Sequence, residues 1–106
     1  AQDELAHYQR GVEAATRTLG KAPFIENLGE FWNYFPTRPY MRARFGLAQS
    51  LCEMGRFDEA IEHGLDLLRL NPDDRLGVRH FLLPTLLECH RDADAARLLQ
   101  TYDEPS

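Results

Sequence analysis

Lysine is nearly absent from this chain: of 12 basic residues, Lys21 is the only one that is not arginine. Against 17 acidic residues this leaves a net charge of −5, which argues against nucleic acid as a partner, since such modules present a basic face. Long apolar runs are also missing. None approaches the roughly 20 residues that cross a bilayer, so no membrane span is expected. Cysteine occurs twice, at Cys52 and Cys89, with no Cys-x-x-Cys or His-x-x-x-His spacing, so neither a structural zinc nor any other metal site is expected. Two buried free thiols in a reducing compartment are the better reading, and the cytoplasm is the expected location. Strict alternation of polar and apolar residues is lacking throughout, which excludes a sheet.

Signatures of catalysis are equally scarce. Ser50 has no Gly-x-Ser-x-Gly elbow around it. His90-Arg91-Asp92 matches a kinase catalytic-loop triplet, but no Gly-rich loop and no downstream Asn accompany it. The acids are dispersed, with no close pair for proton transfer. The expectation is a non-enzyme without a cofactor.

What is present is helical spacing. Leu5, Tyr8, Val12, Ala15 and Leu19 share one face, and Gly20 closes that helix. Residues 21–36 are aromatic but broken by Gly and Pro, and read as a long ordered connection with one or two helical turns. Seven of the eleven aromatics lie between Phe24 and Phe45. They serve either as packing for a small domain or as a pocket. Thr37 is the expected N-cap of the next helix, with Pro39 in its first turn. That helix carries Tyr40, Ala43, Leu47, Leu51 and Met54 up to Gly55. A further helix follows, with Phe57, Ala60, Ile61, Leu65, Leu67, Leu68 and Leu70 on its buried face, and Asn71-Pro72 ends it. A third spans about Arg75 to Cys89, apolar nearly all round and containing Pro84, which should kink it. Asp92 to about Tyr102 forms the last.

Gly55-Arg56-Phe57-Asp58-Glu59-Ala60-Ile61 superposes on His90-Arg91-Asp92-Ala93-Asp94-Ala95-Ala96 at an offset of 35 residues. With Leu47-Ala48, Leu51, Gly55, the aromatic Phe57, Ala60 and the closing Pro72, residues 41–74 resemble the tetratricopeptide repeat. Residues 75–106 resemble it loosely. The resemblance implies an all-α domain, a right-handed stack of antiparallel helical hairpins. On this reading 1–36 is a helix plus its aromatic connection, 37–74 a repeat unit, and 75–106 a degenerate capping unit. The chain lacks an initiator Met and ends just beyond an apolar helix, and it reads as a fragment or small member of a longer repeat protein.

Such repeats bind partners on the concave face of their first helices. Carried onto this sequence, that face contains Arg38, Arg42, Phe45 and Gln49, with Arg79 and Leu83 from the next unit. Guanidinium forks there suit an acidic peptide or protein segment. The expected function is therefore a non-catalytic protein–protein interaction scaffold. The alternative is a helical regulatory domain that uses the Phe24–Phe45 aromatics as a ligand pocket. Leu98, Leu99 and Tyr102 form an expected apolar end of the stack through which two copies would associate. The charge divides unevenly: residues 1–53 hold six acids and six basic residues, residues 54–106 eleven and six. The neutral half carries Arg38, Arg42 and Arg44.

Overall fold

A computed structural model describes residues 2–102, and among these every regular element is helical. Helix α1 (Gln2–Leu19) turns the predicted stripe inward: Leu5 is buried with Tyr8 and Val12 packed on its cluster, and Val12, Ala15 and Leu19 pack on the main core. Gly20, at φ 71°, turns the chain out of the helix. The connection holds a short α2 (Ala22–Glu26), opened by Pro23, and two 3₁₀ turns, Phe31–Asn33 and Phe35–Thr37. Then follow α3 (Arg38–Glu53), α4 (Phe57–Leu70), α5 (Val78–Glu88) and α6 (Asp92–Thr101). The last unit expected from sequence runs to 106; residues 103–106 lie outside the described residues.

Helix α1 packs on α3, and from α3 to α6 each helix packs on the next, in an array only 20 Å thick, about two helix diameters. Close approach is achieved with glycine. A Cβ on Gly46 of α3 would stand 2.3 Å from the Tyr8 ring of α1, and one on Gly64 of α4 would stand 2.7 Å from Leu82 of α5. Gly11 meets Ala43, so with Tyr8 at Gly46 the helices α1 and α3 run antiparallel. The core gathers Ile61, Leu67, Leu70, Leu82 and Leu86, joined at one end by Phe31 and Tyr40. Ala48 and Ala60 are fully buried, as small residues at helix crossings should be.

The two hairpins share one turn, 35 residues apart. Gly55 N–H bonds Cys52 C=O and Arg56 N–H bonds Leu51 C=O; His90 N–H bonds Leu87 C=O and Arg91 N–H bonds Leu86 C=O. Both are Schellman closures, in which the positive-φ residue lets two orphan carbonyls at the helix end be satisfied. Gly55 holds that position at φ 79°, His90 at φ 58°. The following arginine then pairs with the acid three residues on, Arg56 with Glu59 and Arg91 with Asp94.

Several sequence expectations are corrected. Thr37 does not cap α3. Its own backbone is already helical, and its hydroxyl turns back to donate to Phe31 C=O and to Tyr34 C=O at 2.7 Å. Helix α5 begins at Val78 rather than near Arg75, because the Asp74 carboxylate reaches forward and accepts the Val78 and Arg79 N–H groups at 2.7 and 3.0 Å. Phe57 lies 38% exposed, not on the buried face. Leu98 is buried beneath α6, so of the expected apolar end only Leu99 stands out in solvent, with Tyr102 half-buried. Leu87 also faces outward, so α5 is packed on fewer sides than its composition suggests.

Candidate functional site

The aromatic cluster separates into an inner and an outer set. Phe24, Phe31 and Tyr40 interlock, with ring centroids 5.1 to 5.8 Å apart, and fill the space between α2 and α3 with their own rings. Tyr34 and Phe35 are turned out to solvent, Phe35 at 71% exposed, while Trp32 is half-buried at the edge of the core. The segment that presents them is tied down. Trp32 N–H donates to the buried Asn71 Oδ1 at 2.9 Å, and Gly29 N–H to Leu70 C=O at 2.9 Å, so the end of α4 anchors it.

Arg38 and Arg42, one turn apart on α3, converge on this outer set. The Arg38 guanidinium lies 4.7 Å from the Trp32 ring centroid and 5.0 Å from that of Phe35, while its Nε donates to Trp32 C=O at 3.0 Å. Arg42 lies 5.4 Å from the same indole. Farther along α3, Phe45 stacks edge-on against Phe81 of α5 at 5.8 Å, and Cys52 Sγ sits 3.8 Å from Thr85 Oγ1. Side chains of α3 and α5 thus meet, with the half-buried Phe45–Phe81 pair between the two helices and Gln49 exposed on α3.

Arg79 and Leu83 do not join this stripe. On α5 they are turned away from Phe81 and Thr85, toward α6. There they line a cleft of about 440 Å³ with His80, Pro84, Leu99 and Tyr102. Arg79 is committed within the fold: it bonds the Asp74 carboxylate at 2.9 Å and lies over the Tyr102 ring at 5.1 Å. Burial, and then the nearby Asp74 charge, push the Tyr102 phenol above its usual value. The six residues expected from sequence therefore form one α3-centred group, Arg38, Arg42, Phe45 and Gln49, and a separate pair on α5.

Sequence reasoning missed a polar cluster between α3 and α4. Arg44 donates through Nε to His63 Nδ1 at 3.0 Å, and through Nη1 to Tyr40 Oη and Asp66 Oδ2; Asp66 also holds Arg69. Burial chiefly, then the Arg44 charge, lowers the His63 pKa. Burial alone would raise that of Asp66, but the hydrogen bonds from Arg69 and Arg44 outweigh it and hold the carboxylate below its usual range. The i, i+4 spacing of Tyr40–Arg44 and the i, i+3 spacing of His63–Asp66 are visible in the sequence, but nothing in it shows that the two faces meet.

Among the described residues no three His, Cys, Asp or Glu side chains gather as a metal site, both thiols are free, and no helix is long and apolar enough to cross a membrane. Comparison of the chain with protein-family models, with curated proteins and with solved structures returns no match.

Proposed function

We propose that this chain is a non-catalytic helical-repeat module, a right-handed stack of tetratricopeptide-type hairpins, which holds a peptide or protein segment against the face shared by α3 and α5. The observation that carries the reading is the duplicated Schellman turn: two hairpins repeat at a 35-residue interval, and the first helices of both, α3 and α5, touch through Phe45 and Phe81. Juxtaposed first helices are what give a helical solenoid a continuous recognition surface. That surface offers a half-buried aromatic pair with Arg42 and Gln49 exposed beside it, an apolar centre with a polar rim. The free thiols Cys52 and Cys89 suit a reducing compartment such as the cytoplasm.

The test is selection from a random peptide-display library followed by amide chemical-shift mapping. Selected peptides should bind tighter than about 1 mM and shift the resonances of Arg42, Phe45, Gln49, Phe81 and Thr85. Failure to select any binder, or shifts confined to α1 or α6, refutes the reading.

A further inference from the structure

From Arg38 to Arg97 the sequence holds nine arginines, and among the described residues seven have a carboxylate within ion-pair distance. Asp66 serves Arg44 and Arg69, Asp94 serves Arg91 and Arg97, and Glu59, Asp73 and Asp74 serve Arg56, Arg75 and Arg79. Arg38 and Arg42 are the two without one. They are also the two that share a single indole ring, at 4.7 and 5.4 Å. Two like charges are thus held close together on aromatic faces, in a chain whose net charge is negative and which supplies an acid to each of the other seven.

We infer that Trp32, Phe35, Arg38 and Arg42 form a clamp that captures the carboxylates of an acidic peptide segment in a partner protein. Three features fit that occupant. The guanidiniums are positioned in advance: Arg38 Nε is spent on the Trp32 carbonyl, which leaves its Nη groups for a two-point bond to a carboxylate. The segment supporting them is fixed at its backbone by the Trp32 N–H bond to Asn71, and the half-buried indole packs against the core, so little freedom remains to be lost on binding. The exposed Phe35 and Tyr34 supply apolar surface next to the charges, a combination of arginine and aromatics that dominates binding hot spots. Trp32 and Phe35 precede the repeat units and Arg38 and Arg42 belong to α3, so the clamp lies at the N-terminal end of the α3 face. It rests on the reading of this chain as a binding module, but is centred on Trp32, Phe35 and Arg38 and shares only Arg42 with the Phe45–Phe81 surface.

Trp32 is the only tryptophan, so its emission reports the site directly. The probe is a fluorescein-labelled peptide, acetyl-Glu-Glu-Phe-Glu-Glu-amide, followed by anisotropy, with an unlabelled copy for the Trp32 titration. The wild type should give saturable binding that weakens as salt rises, accompanied by a change in Trp32 emission. Arg42→Gln, at an exposed position where folding is not at risk, should weaken binding about tenfold, the ordinary effect of removing a charged hydrogen-bonding partner. Arg38→Gln should do so at least as strongly, and Gln100→Ala, exposed on α6, should leave binding unchanged. Equal affinity of Arg42→Gln and wild type, equal binding of a Lys-for-Glu peptide, or tighter binding of a phosphopeptide lacking acidic residues would each overturn the clamp. Display peptides that map to Phe45 and Phe81 while the acidic peptide fails to bind would remove the clamp and leave the groove. The reverse pattern would remove the groove alone.

Discussion

Gly64 provides the sharpest test of how the two hairpins pack. In an exposed helix, Gly→Ala gains about 1 kcal/mol from helix propensity. Here an added Cβ meets Leu82 Cδ2 at 2.7 Å, Cγ at 2.9 Å and Cδ1 at 3.1 Å. A methyl at the tip of a free side chain would swing away, but Leu82 is 0% exposed and the branching Cγ is itself in contact. Either Leu82 leaves its rotamer or α4 and α5 separate, which costs about 1–3 kcal/mol. Gly64→Ala should therefore be net destabilising by up to about 2 kcal/mol, a fall of roughly 4–8 °C in Tm for each kcal/mol in a domain of this size. Leu82→Ala alone should cost about 2–5 kcal/mol through lost burial and the cavity left behind. In that background the obstructing atoms are gone, so Gly64→Ala should change sign and stabilise by about 1 kcal/mol. The cycle then yields a coupling of about 2 kcal/mol, within the range for residues in contact. Urea denaturation followed by helical circular dichroism and by Trp32 fluorescence measures all four corners. If Gly64→Ala stabilises the wild type, or has the same effect in both backgrounds, the α4–α5 contact is not as described.

Three further outcomes follow from named contacts. His90→Gly should stabilise by about 0.5–1 kcal/mol, because relief of a left-handed side chain exceeds the added unfolded-state freedom, whereas Gly55→Ala at the equivalent turn should destabilise by about 1 kcal/mol; urea midpoints showing the same sign for both would contradict the shared turn. Asp74→Ala removes the acceptor for two N–H groups and the partner of Arg79, and should cost about 2 kcal/mol, with hydrogen exchange accelerating first at Val78 and Arg79. His63 takes up its proton at lower pH folded than unfolded, so its contribution to stability is complete above its ordinary value of 6.5 and is lost as pH falls from there toward the lowered folded value; Asp66 adds a second loss, below its ordinary 3.8. Urea midpoints at pH 7.5 and 5.5 should therefore differ in the wild type and converge in His63→Gln, and equal slopes in the two proteins would exclude His63 as the cause.

Where neighbours in sequence decide the outcome, the structure was legible beforehand. Gly20, Gly55 and the Asn71-Pro72 pair end helices through their own backbone preferences, and the 35-residue echo of Gly55-Arg56 in His90-Arg91 predicts the second hairpin although histidine replaces glycine. Long-range partners were not legible. Thr37 has the residue type of an N-cap, yet its hydroxyl is taken by Phe31 and Tyr34 carbonyls within a 3₁₀ turn. Arg79 has the spacing of a groove cation, yet Asp74 claims it, and α5 is rotated so that Phe81 and Thr85, not Arg79 and Leu83, face α3. Helical periodicity assigns a residue to a face; it does not assign that face to a neighbour.

The distribution of ion pairs connects the fold to its candidate chemistry. The second half of the chain holds the excess of acid, and it consumes every arginine of its own and also Arg44 from α3. Most of these pairs are largely exposed and contribute little stability, so their effect is mainly to leave no uncommitted guanidinium along α4, α5 and α6. The first half has no such surplus. At the start of α3 two arginines are supported by an indole instead of a carboxylate, because the chain there is committed to aromatic packing: Phe31 and Tyr40 buried, Trp32 at the core edge and Phe35 outward. A cation–π contact orients a guanidinium without neutralising it. The charge that the fold satisfies internally everywhere else on α3 to α6 is therefore left, at this one end, without a carboxylate of its own among the described residues.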